Sequence, residues 1–388
     1  MTQEPPTTPG RDARGLLRFQ HDVRAQRVVF ATDRAVAAVV EQVRDRGNDK
    51  NNDDGARRVL VTASGSSRGT AEAMAEALRT SAPGVDVVRW DGAAQHVPVD
   101  IADRARAVVR ERGCDLVVAV GGGSVIGLAK AVAAQLPVRV VAVPTTFSGS
   151  EATDVWGQTV GDRKAVTADP AVLPAVVVYD AALTVGLPAA VAAASQLNAL
   201  AHCVDALWGP RADPLSAALA EQGAGLLVRA LRRKTKDDDG DGASELRLRE
   251  DALLGAHLAG RAFASAGSGL HHKVCHVLGG TFGLPHADVH AVVLPHAVAF
   301  NAPAAPWAAA RLRSVLGERP AVVLSSLASA AGVATSLAQL GLARDDVAAA
   351  AEAALPLIPP SNPRPVTREG LVRLLDAAWE GPSALREG

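Results

Sequence analysis

Between Arg58 and Val143 the chain repeats one pattern, a short β-branched run followed by an amphipathic helical stretch. The runs are Val59-Leu60-Val61-Thr62, Val85-Asp86-Val87-Val88-Arg89-Trp90, Leu116-Val117-Val118-Ala119-Val120 and Val138-Arg139-Val140-Val141-Ala142-Val143. Helical periodicity fills about Gly69–Arg79, Asp100–Arg112 and a stretch through Lys130. Such alternation predicts a parallel sheet covered on both faces, because neighbouring parallel strands need a helical crossover. The pattern opens with Arg27-Val28-Val29-Phe30 and a helix from Ala35, and its last strong strand is Val176-Val177-Val178-Tyr179-Asp180. After Val185-Gly186-Leu187-Pro188 an Ala-rich helical periodicity takes over almost to the end. The expected organisation is a disordered leader over residues 1–17, a Rossmann-like α/β domain over 18–183 and an all-α domain over 184–388.

With 388 residues, 48% of them hydrophobic, the chain can fill two aliphatic cores. A formal net charge of -1 and the lack of a strongly basic segment argue against a nucleic-acid or anionic-membrane partner. Cys114, Cys203 and Cys275 are odd in number, far apart and set among apolar residues, so a reducing cytoplasm is expected rather than a disulfide frame. No apolar run approaches the roughly 18 residues of a membrane span. Asp49–Arg57 reads as a polar loop, and Lys234–Gly242 as a solvated linker that lacks the spacing of a calcium loop. No internal repeat is evident.

The Leu116–Val120 strand runs into Gly121-Gly122-Gly123-Ser124, and a helix continues through Lys130. Glycines at a strand-to-helix turn let backbone N–H groups approach a phosphate, and the helix N-terminus favours its charge. A tight turn with nothing bound is the plain alternative; phosphate binding is preferred because the turn ends a strand of a doubly wound sheet. It is neither the dinucleotide fingerprint nor a P-loop, since Lys130 comes too late. The next strand ends in Pro144-Thr145-Thr146-Phe147-Ser148-Gly149-Ser150-Glu151, on the same rim, where hydroxyls either contact a nucleotide or cap a turn. Lys164 lies in Gly161-Asp162-Arg163-Lys164, a turn between extended pieces.

In the helical half, histidines gather where a core should be: His271-His272-Lys273-Val274-Cys275-His276, then Leu284-Pro285-His286. His272 and His276 share one helical face, and the Gly279-Gly280 and Pro285 breaks let His286 return toward them. Upstream, Asn198, His202 and Asp205 form a polar stripe on an otherwise apolar helix. Isolated core histidines are the plain reading of each, but buried imidazoles without partners are costly and their titration suits catalysis. Near the end, Asn362-Pro363-Arg364-Pro365 is a rigid turn whose Arg364 either meets a carboxylate or caps a helix.

These motifs resemble the iron-containing alcohol dehydrogenase superfamily and, within it, the maleylacetate reductases. The likeness rests on Trp90-Asp91-Gly92 with His96-Val97-Pro98-Val99, the glycine turn with Gly127, Leu128 and Lys130, and Pro144-Thr145-Thr146 with Gly149-Ser150-Glu151. It continues through Leu183–Pro188, Asn198-Ala199 with Ala201-His202, His271–His276, Leu284–Ala287 and Asn362–Val366. The resemblance implies the dehydroquinate synthase-like/iron-containing alcohol dehydrogenase fold, with NADH or NADPH bound by the first domain and an active site in the cleft before the second. It implies reduction of maleylacetate to 3-oxoadipate, a small oxo-acid substrate, and a homodimer.

Carried over residue by residue, phosphate contacts fall on Gly121, Gly122, Gly123 and Ser124, and nicotinamide-side contacts on Thr145 and Thr146; Ser64 ends the first strand of the nucleotide site. The superfamily's metal ligands fall on Asn198, His202, His272 and His286. Metal-using members have Asp at the first of these. A neutral amide is a poor fourth ligand for iron, although three imidazoles can hold zinc. The expectation is catalysis without a required metal; if one is present, His202, His272 and His286 are its ligands. Hydrogen-bond donors must then stabilise the enolate left by hydride addition, from the histidines and Lys164. His276 or His272 is the expected proton donor, and Phe147, Arg364 and Lys164 are the expected substrate contacts. Val125-Ile126 stands where relatives carry two threonines, and Phe147 where they carry Tyr. Those departures leave room for another oxo-acid or enone in a biosynthetic pathway; a non-redox use of the scaffold and a metal-dependent alcohol dehydrogenase are the rival readings. Thr62-Ala63-Ser64-Gly65 has no carboxylate for a ribose hydroxyl, and Arg68 could accept a phosphate, so NADH and NADPH stay open.

Overall fold

The computed structural model of the chain describes residues 9–11, 15–44, 57–82, 84–94, 97–160, 163–233 and 242–385. His96, residues 49–56 of the expected polar loop and residues 234–241 of the charged stretch lie outside them. Two compact units result: Arg24–Gly186 with Gly242–Leu253, and the remainder from Met1–Val23, Leu187–Asp241 and Leu254–Gly388. The division falls between Gly186 and Leu187. The early part of one long helix groups with the sheet, and the segment before Arg24 with the helices, an exchange that no composition shift announces.

The first unit is the expected α/β architecture. Its strands are β1 (Arg27–Phe30), β2 (Arg57–Ala63), β3 (Val85–Trp90), β4 (Leu116–Gly121), β5 (Arg139–Pro144), the pair β6 (Val155–Val160) and β7 (Arg163–Ala168), and β8 (Val176–Tyr179). Helices α1 (Ala35–Arg44), α2 (Arg68–Ser81), α3 (Val99–Arg112) and α4 (Gly123–Ala133) connect them. Six strands form one parallel sheet in the order β1-β8-β5-β4-β2-β3. β6 and β7 make a separate antiparallel hairpin, so Lys164 sits in a strand opposite Thr159, just past the expected turn.

The period-2 alternation of each strand sorts its side chains onto two cores. Val59, Val61, Leu116, Val118, Val120, Val141 and Val178 pack with α1 and α2; Leu60, Val117, Ala119 and Val140 pack with α3 and α4. All six residues of β4 are buried, as a central parallel strand requires. α3 ends where Gly113, at φ 63, takes the left-handed turn and its N–H returns to Val109 and Arg110.

The second unit is helical: α5 (Ala189–Trp208), α6 (Pro214–Arg233), the later part of α7 (Gly242–Ala266), α8 (Leu270–Thr281), α9 (His286–Asn301), α10 (Pro306–Leu316), α11 (Pro320–Ala330), α12 (Asp346–Ala354) and α13 (Arg368–Glu380). Ala192 to Trp208 of α5 are buried without a break, so the helix is central to its bundle and carries its polar stripe of Asn198, His202 and Asp205 inside. A core of Leu270, Val274, Leu278, Val289, Val293, Leu337, Leu371 and Leu375 joins α8, α9 and α13. Among the described residues no helix is long and apolar enough to cross a membrane.

Candidate functional site

In the sheet unit, the order β4-β2-β3 on one side and β4-β5 on the other puts the topological switch between β2 and β4. Ligands of open α/β sheets lie beyond the strand ends at such a point. Ser64 and the short turn Gly65–Ser67 follow β2; Gly122 caps α4 directly after β4. A Cβ on Gly121 would stand 2.5 Å from Val125 Cγ2 and 3.5 Å from Ser64 Oγ; one on Gly122 would stand 2.9 Å from Thr146 Cγ2. Packing inside the loop therefore accounts for the first two glycines. Gly123 is different: its Cβ would meet only Ser148, with Oγ at 3.5 Å, ordinary contact, and the residue is partly exposed. Gly121–Ser124, Ser64, Thr145 and Thr146 are thus gathered on one rim. The Thr145 hydroxyl lies 3.3 Å from that of Ser67, and Thr146 and Ser148 are partly exposed.

Lys130 holds that rim from behind. Fully buried, its ammonium donates to the carbonyls of Ser150 (2.6 Å), Thr153 (2.8 Å) and Val155 (2.9 Å), fixing the segment after Thr145-Thr146. Desolvation lowers its pKa to about 7, against the pull of Glu151 and Asp154. Glu151 is buried too and accepts the Tyr179 hydroxyl at 2.8 Å, while burial pushes its carboxyl up. Phe147, expected to touch substrate, is fully buried with the Arg249 guanidinium 5.9 Å over its ring. That places it in the core instead, where a ring without a hydroxyl is at no disadvantage. Lys164 is in β7, and Arg68 pairs with Asp91 at 3.6 Å.

In the helical unit the histidines meet. His202 of α5 stacks on His272 of α8 at 4.8 Å between ring centroids, and Phe263 lies against both, at 4.6 and 4.4 Å. His286 and His290 begin α9; their rings are 4.5 Å apart, and His290 is 4.8 Å from His272. His276 is 6.1 Å from His272 and 6.2 Å from His286. The sequence expectation missed His290, although it stands one helical turn after His286 on the same face. Asp205, completely buried, organises the group. Its Oδ2 accepts the backbone N–H of Gly269 (2.9 Å) and of His272 (3.2 Å) and the His272 Nδ1–H (2.8 Å); Oδ1 accepts Trp208 Nε1–H at 3.3 Å.

That pattern fixes a tautomer. Burial pushes the Asp205 carboxyl up and His272 well down, but Oδ2 already receives two backbone N–H groups, so the proton of the third contact sits on Nδ1. His272 is then neutral, with a bare Nε2 that is buried and has no hydrogen-bond partner. Asn198 Oδ1 and His290 Nε2 are in the same condition. The expectation that His272 donates a proton does not fit this geometry, since a neutral ring anchored through Nδ1–H presents a lone pair.

Metal ligation has the same residues to draw on. A second-sphere carboxylate behind an imidazole is what a ligated His uses, and His272 has one. However, the four implied positions, Asn198, His202, His272 and His286, carry three imidazoles and an amide, with no carboxylate to offset a divalent charge. His271, His272 and His290 bring ligand nitrogens within 4.8 Å of one another, yet His271 Nε2 and His290 Nδ1 are engaged with each other at 2.8 Å. Neither set fits a resident iron. Arg364 is engaged with Phe300: its guanidinium stacks 4.4 Å over the ring, and Nη1 donates to the Phe300 carbonyl at 3.4 Å.

Comparison with known proteins extends these observations. The model for iron-containing alcohol dehydrogenase matches residues 29–181, and that for the C-terminal part of the Fe-containing alcohol dehydrogenase family matches 192–379. A maleylacetate reductase of Sphingobium indicum is 41% identical over 366 residues, 94% of this chain and 98% of that protein. Maleylacetate reductase 1 of Rhodococcus opacus is 47% identical over 297 residues, 76% of this chain and 81% of that one. The crystal structure of an iron-containing alcohol dehydrogenase from Corynebacterium glutamicum superposes with a TM-score of 0.84 at 42% identity, covering 95% of this chain and 99% of the other. With both halves matched and relatives aligned nearly end to end, the chain belongs to the iron-containing alcohol dehydrogenase family, close to its maleylacetate reductases, and is an NAD(P)H-dependent oxidoreductase.

Proposed function

We propose that the chain reduces maleylacetate to 3-oxoadipate with NADH or NADPH and without a resident metal. The observation that carries this reading is the pairing of end-to-end likeness to maleylacetate reductases with an uncharged amide, Asn198, in a histidine cluster that lacks a carboxylate ligand. In the reaction, hydride and its two electrons pass from the reduced nicotinamide to the alkene carbon β to the ketone. The alkene electrons shift to the ketone oxygen as an enolate, and a proton added to the α-carbon completes the saturated oxo-diacid. The glycine rim holds the cofactor's phosphates at Gly121–Ser124, with Ser64, Thr145 and Thr146 beside them. Asn198, His202, His272, His276 and His286 supply the polar surface for the substrate, and His276 is the remaining candidate for the proton. Lys164 and Arg364 are the cations offered to the carboxylates. A homodimer in the cytoplasm completes the proposal.

The test follows absorbance at the reduced-nicotinamide band with chelator-treated protein, each cofactor in turn, and freshly made maleylacetate. Oxidation at an undiminished rate after chelation is the expected result. Loss of turnover that zinc or iron restores would replace the metal-free reading with a metal-dependent one. Absence of turnover in every condition, with cofactor still bound, would point to another oxo-acid or to a non-redox use of the scaffold.

A further inference from the structure

His290 is wholly buried at the start of α9, with His272, His271 and His286 around it at 4.8, 4.9 and 4.5 Å between ring centroids. Its two nitrogens are in unlike circumstances. Nδ1 lies 2.8 Å from His271 Nε2, while Nε2 is buried without a hydrogen-bond partner. Leaving the hydrogen bond of a buried polar atom unmade costs about 1–3 kcal/mol, so a site that keeps such an atom is built for something that arrives later.

The neighbouring orphan, His272 Nε2, is a lone pair, because the ring of His272 carries its proton on Nδ1, which donates to Asp205 Oδ2. A substrate whose oxygens are all acceptors cannot be received by a second lone pair beside the first. His290 therefore has to present an N–H, and the His271 contact provides for it: if His271 Nε2–H donates to His290 Nδ1, the His290 proton must be on Nε2. The Cys275 sulfur lies beside the His271 ring, 3.5 Å from Nε2 and 4.0 Å from Nδ1, and selects neither nitrogen.

We propose that His290 is a catalytic residue of the reduction, its Nε2–H donating to the ketone oxygen that becomes the enolate, and that His271 is the positioning residue that fixes its tautomer. The inference rests on the maleylacetate reading given above. No proton leaves His290 in this step. Hydride comes from the reduced nicotinamide, the alkene electrons move to the oxygen, and the proton that reaches the α-carbon comes from the separate donor, His276; the His290 contact strengthens as charge develops. Donors of this kind typically change rates by about a hundredfold to a thousandfold.

Three substitutions separate the two nitrogens. Asn places an amide near Nδ1, Gln places one near Nε2, and Leu removes both. His290→Leu and His290→Asn are expected to lower kcat for maleylacetate by about a hundredfold, with NADH affinity by fluorescence unchanged within about twofold. His290→Gln is expected to recover at least about tenfold of that loss, and His271→Leu to lose about tenfold in kcat. His290→Asn, which keeps the His271 contact, preserves the test if His290→Leu does not fold. The proposal is overturned if His290→Asn turns over within about threefold of the wild type, or if the Gln variant is as slow as the Asn variant, because a packing role does not distinguish them. Absence of wild-type turnover sinks the parent reading instead, so the two failures are told apart.

Discussion

Both units bury polar groups, but they do so to opposite ends. At the sheet rim, Lys130 is fully buried and its ammonium is consumed by protein carbonyls from Ser150, Thr153 and Val155. In the helical unit, Asp205 is satisfied just as fully and anchors His272, yet Asn198 Oδ1, His272 Nε2 and His290 Nε2 are left unmet around it. Glu151 Oε2 near Lys130 is unmet too, so the difference is one of grouping: the Lys130 contacts fix a loop, whereas the unmet atoms of the helical unit gather around one anchored imidazole. The glycine rim, closed from behind by Lys130, presents backbone to the outside. The histidine cluster presents side-chain nitrogens of assigned and different character.

Removing either anchor tests that distinction. Asp205→Ala is expected to have the largest effect: four donors lose their acceptor inside the core, which costs about 3–5 kcal/mol of stability in a denaturant titration and leaves His272 free to change tautomer, so turnover disappears. Lys130→Met takes the donor from three backbone carbonyls and the Thr153 hydroxyl but also removes a buried charge, and the net cost is expected to be about 2 kcal/mol. Its functional signature should differ, with weaker NADH binding and a kcat at saturating cofactor within about threefold of the wild type. A large kcat defect in Lys130→Met would break the comparison, since a scaffold charge would then be taking part in the chemistry.

The same contrast appears in pH. In the helical unit, burial lowers His271 to about 3 and His296 to about 4, from an ordinary 6.5. The unfolded chain binds more protons than the native one between those values, so stability rises with pH across that window and falls away in acid, by at most about 1.4 kcal/mol per pH unit for each group. Lys130, lowered from 10.5 to about 7, has the same sign but a window between 7 and 10.5. Urea midpoints of the wild type should therefore climb from about pH 4.5 to 6.5, less steeply in His296→Phe. The further climb above pH 7 should be missing in Lys130→Met. Glu151, which burial pushes up from 4.5, slopes the other way above that value, and because Lys130 holds it down, Lys130→Met raises it further; the difference between the two proteins reports the coupled pair. Equal slopes in wild type and variant would show that the lysine keeps its proton in the folded chain.

How much of this was legible beforehand follows from the range of the interactions. The strands and their cores were, because period-2 alternation and apolar runs are local: Val59, Val61 and Val118 announce one face in sequence, and Leu60 and Val117 the other. The glycine rim was legible as a strand-to-helix turn. In the helical unit the types and spacing of His202, His272, His276 and His286 marked a cluster, but its internal order is long-range: Asp205 reaches His272 across 67 positions, and His271 reaches His290 across 19. No local pattern states which nitrogen faces which partner, so the assignment of a proton to His272 could be corrected only in three dimensions. Phe147 misled for the same reason. A loop position beside Thr146 carries no local sign of burial, yet Phe147 is fully buried with Arg249, about a hundred positions away in sequence, over its ring. Lys130 looked like a failed phosphate ligand because its partners, Ser150 to Val155, lie beyond the next strand, 20 to 25 positions on.

The smallest expected effect separates two adjacent glycines. Gly122→Ala brings a Cβ to 2.9 Å from Thr146 Cγ2 and 3.1 Å from its Oγ1, so the rim itself must shift; about 1 kcal/mol of stability and a severalfold loss of NADH affinity should go together. Gly123→Ala meets Ser148 Oγ at 3.5 Å and nothing closer, so the protein alone gives no reason for a glycine there. If a phosphate lies against α4, that methyl group occupies its approach, and NADH affinity should fall by about tenfold while the melting temperature stays within a degree or two. Affinity unchanged in Gly123→Ala would mean that the glycine run answers only to packing within the loop, and the cofactor's phosphates would then have to be sought elsewhere along the switch point between β2 and β4.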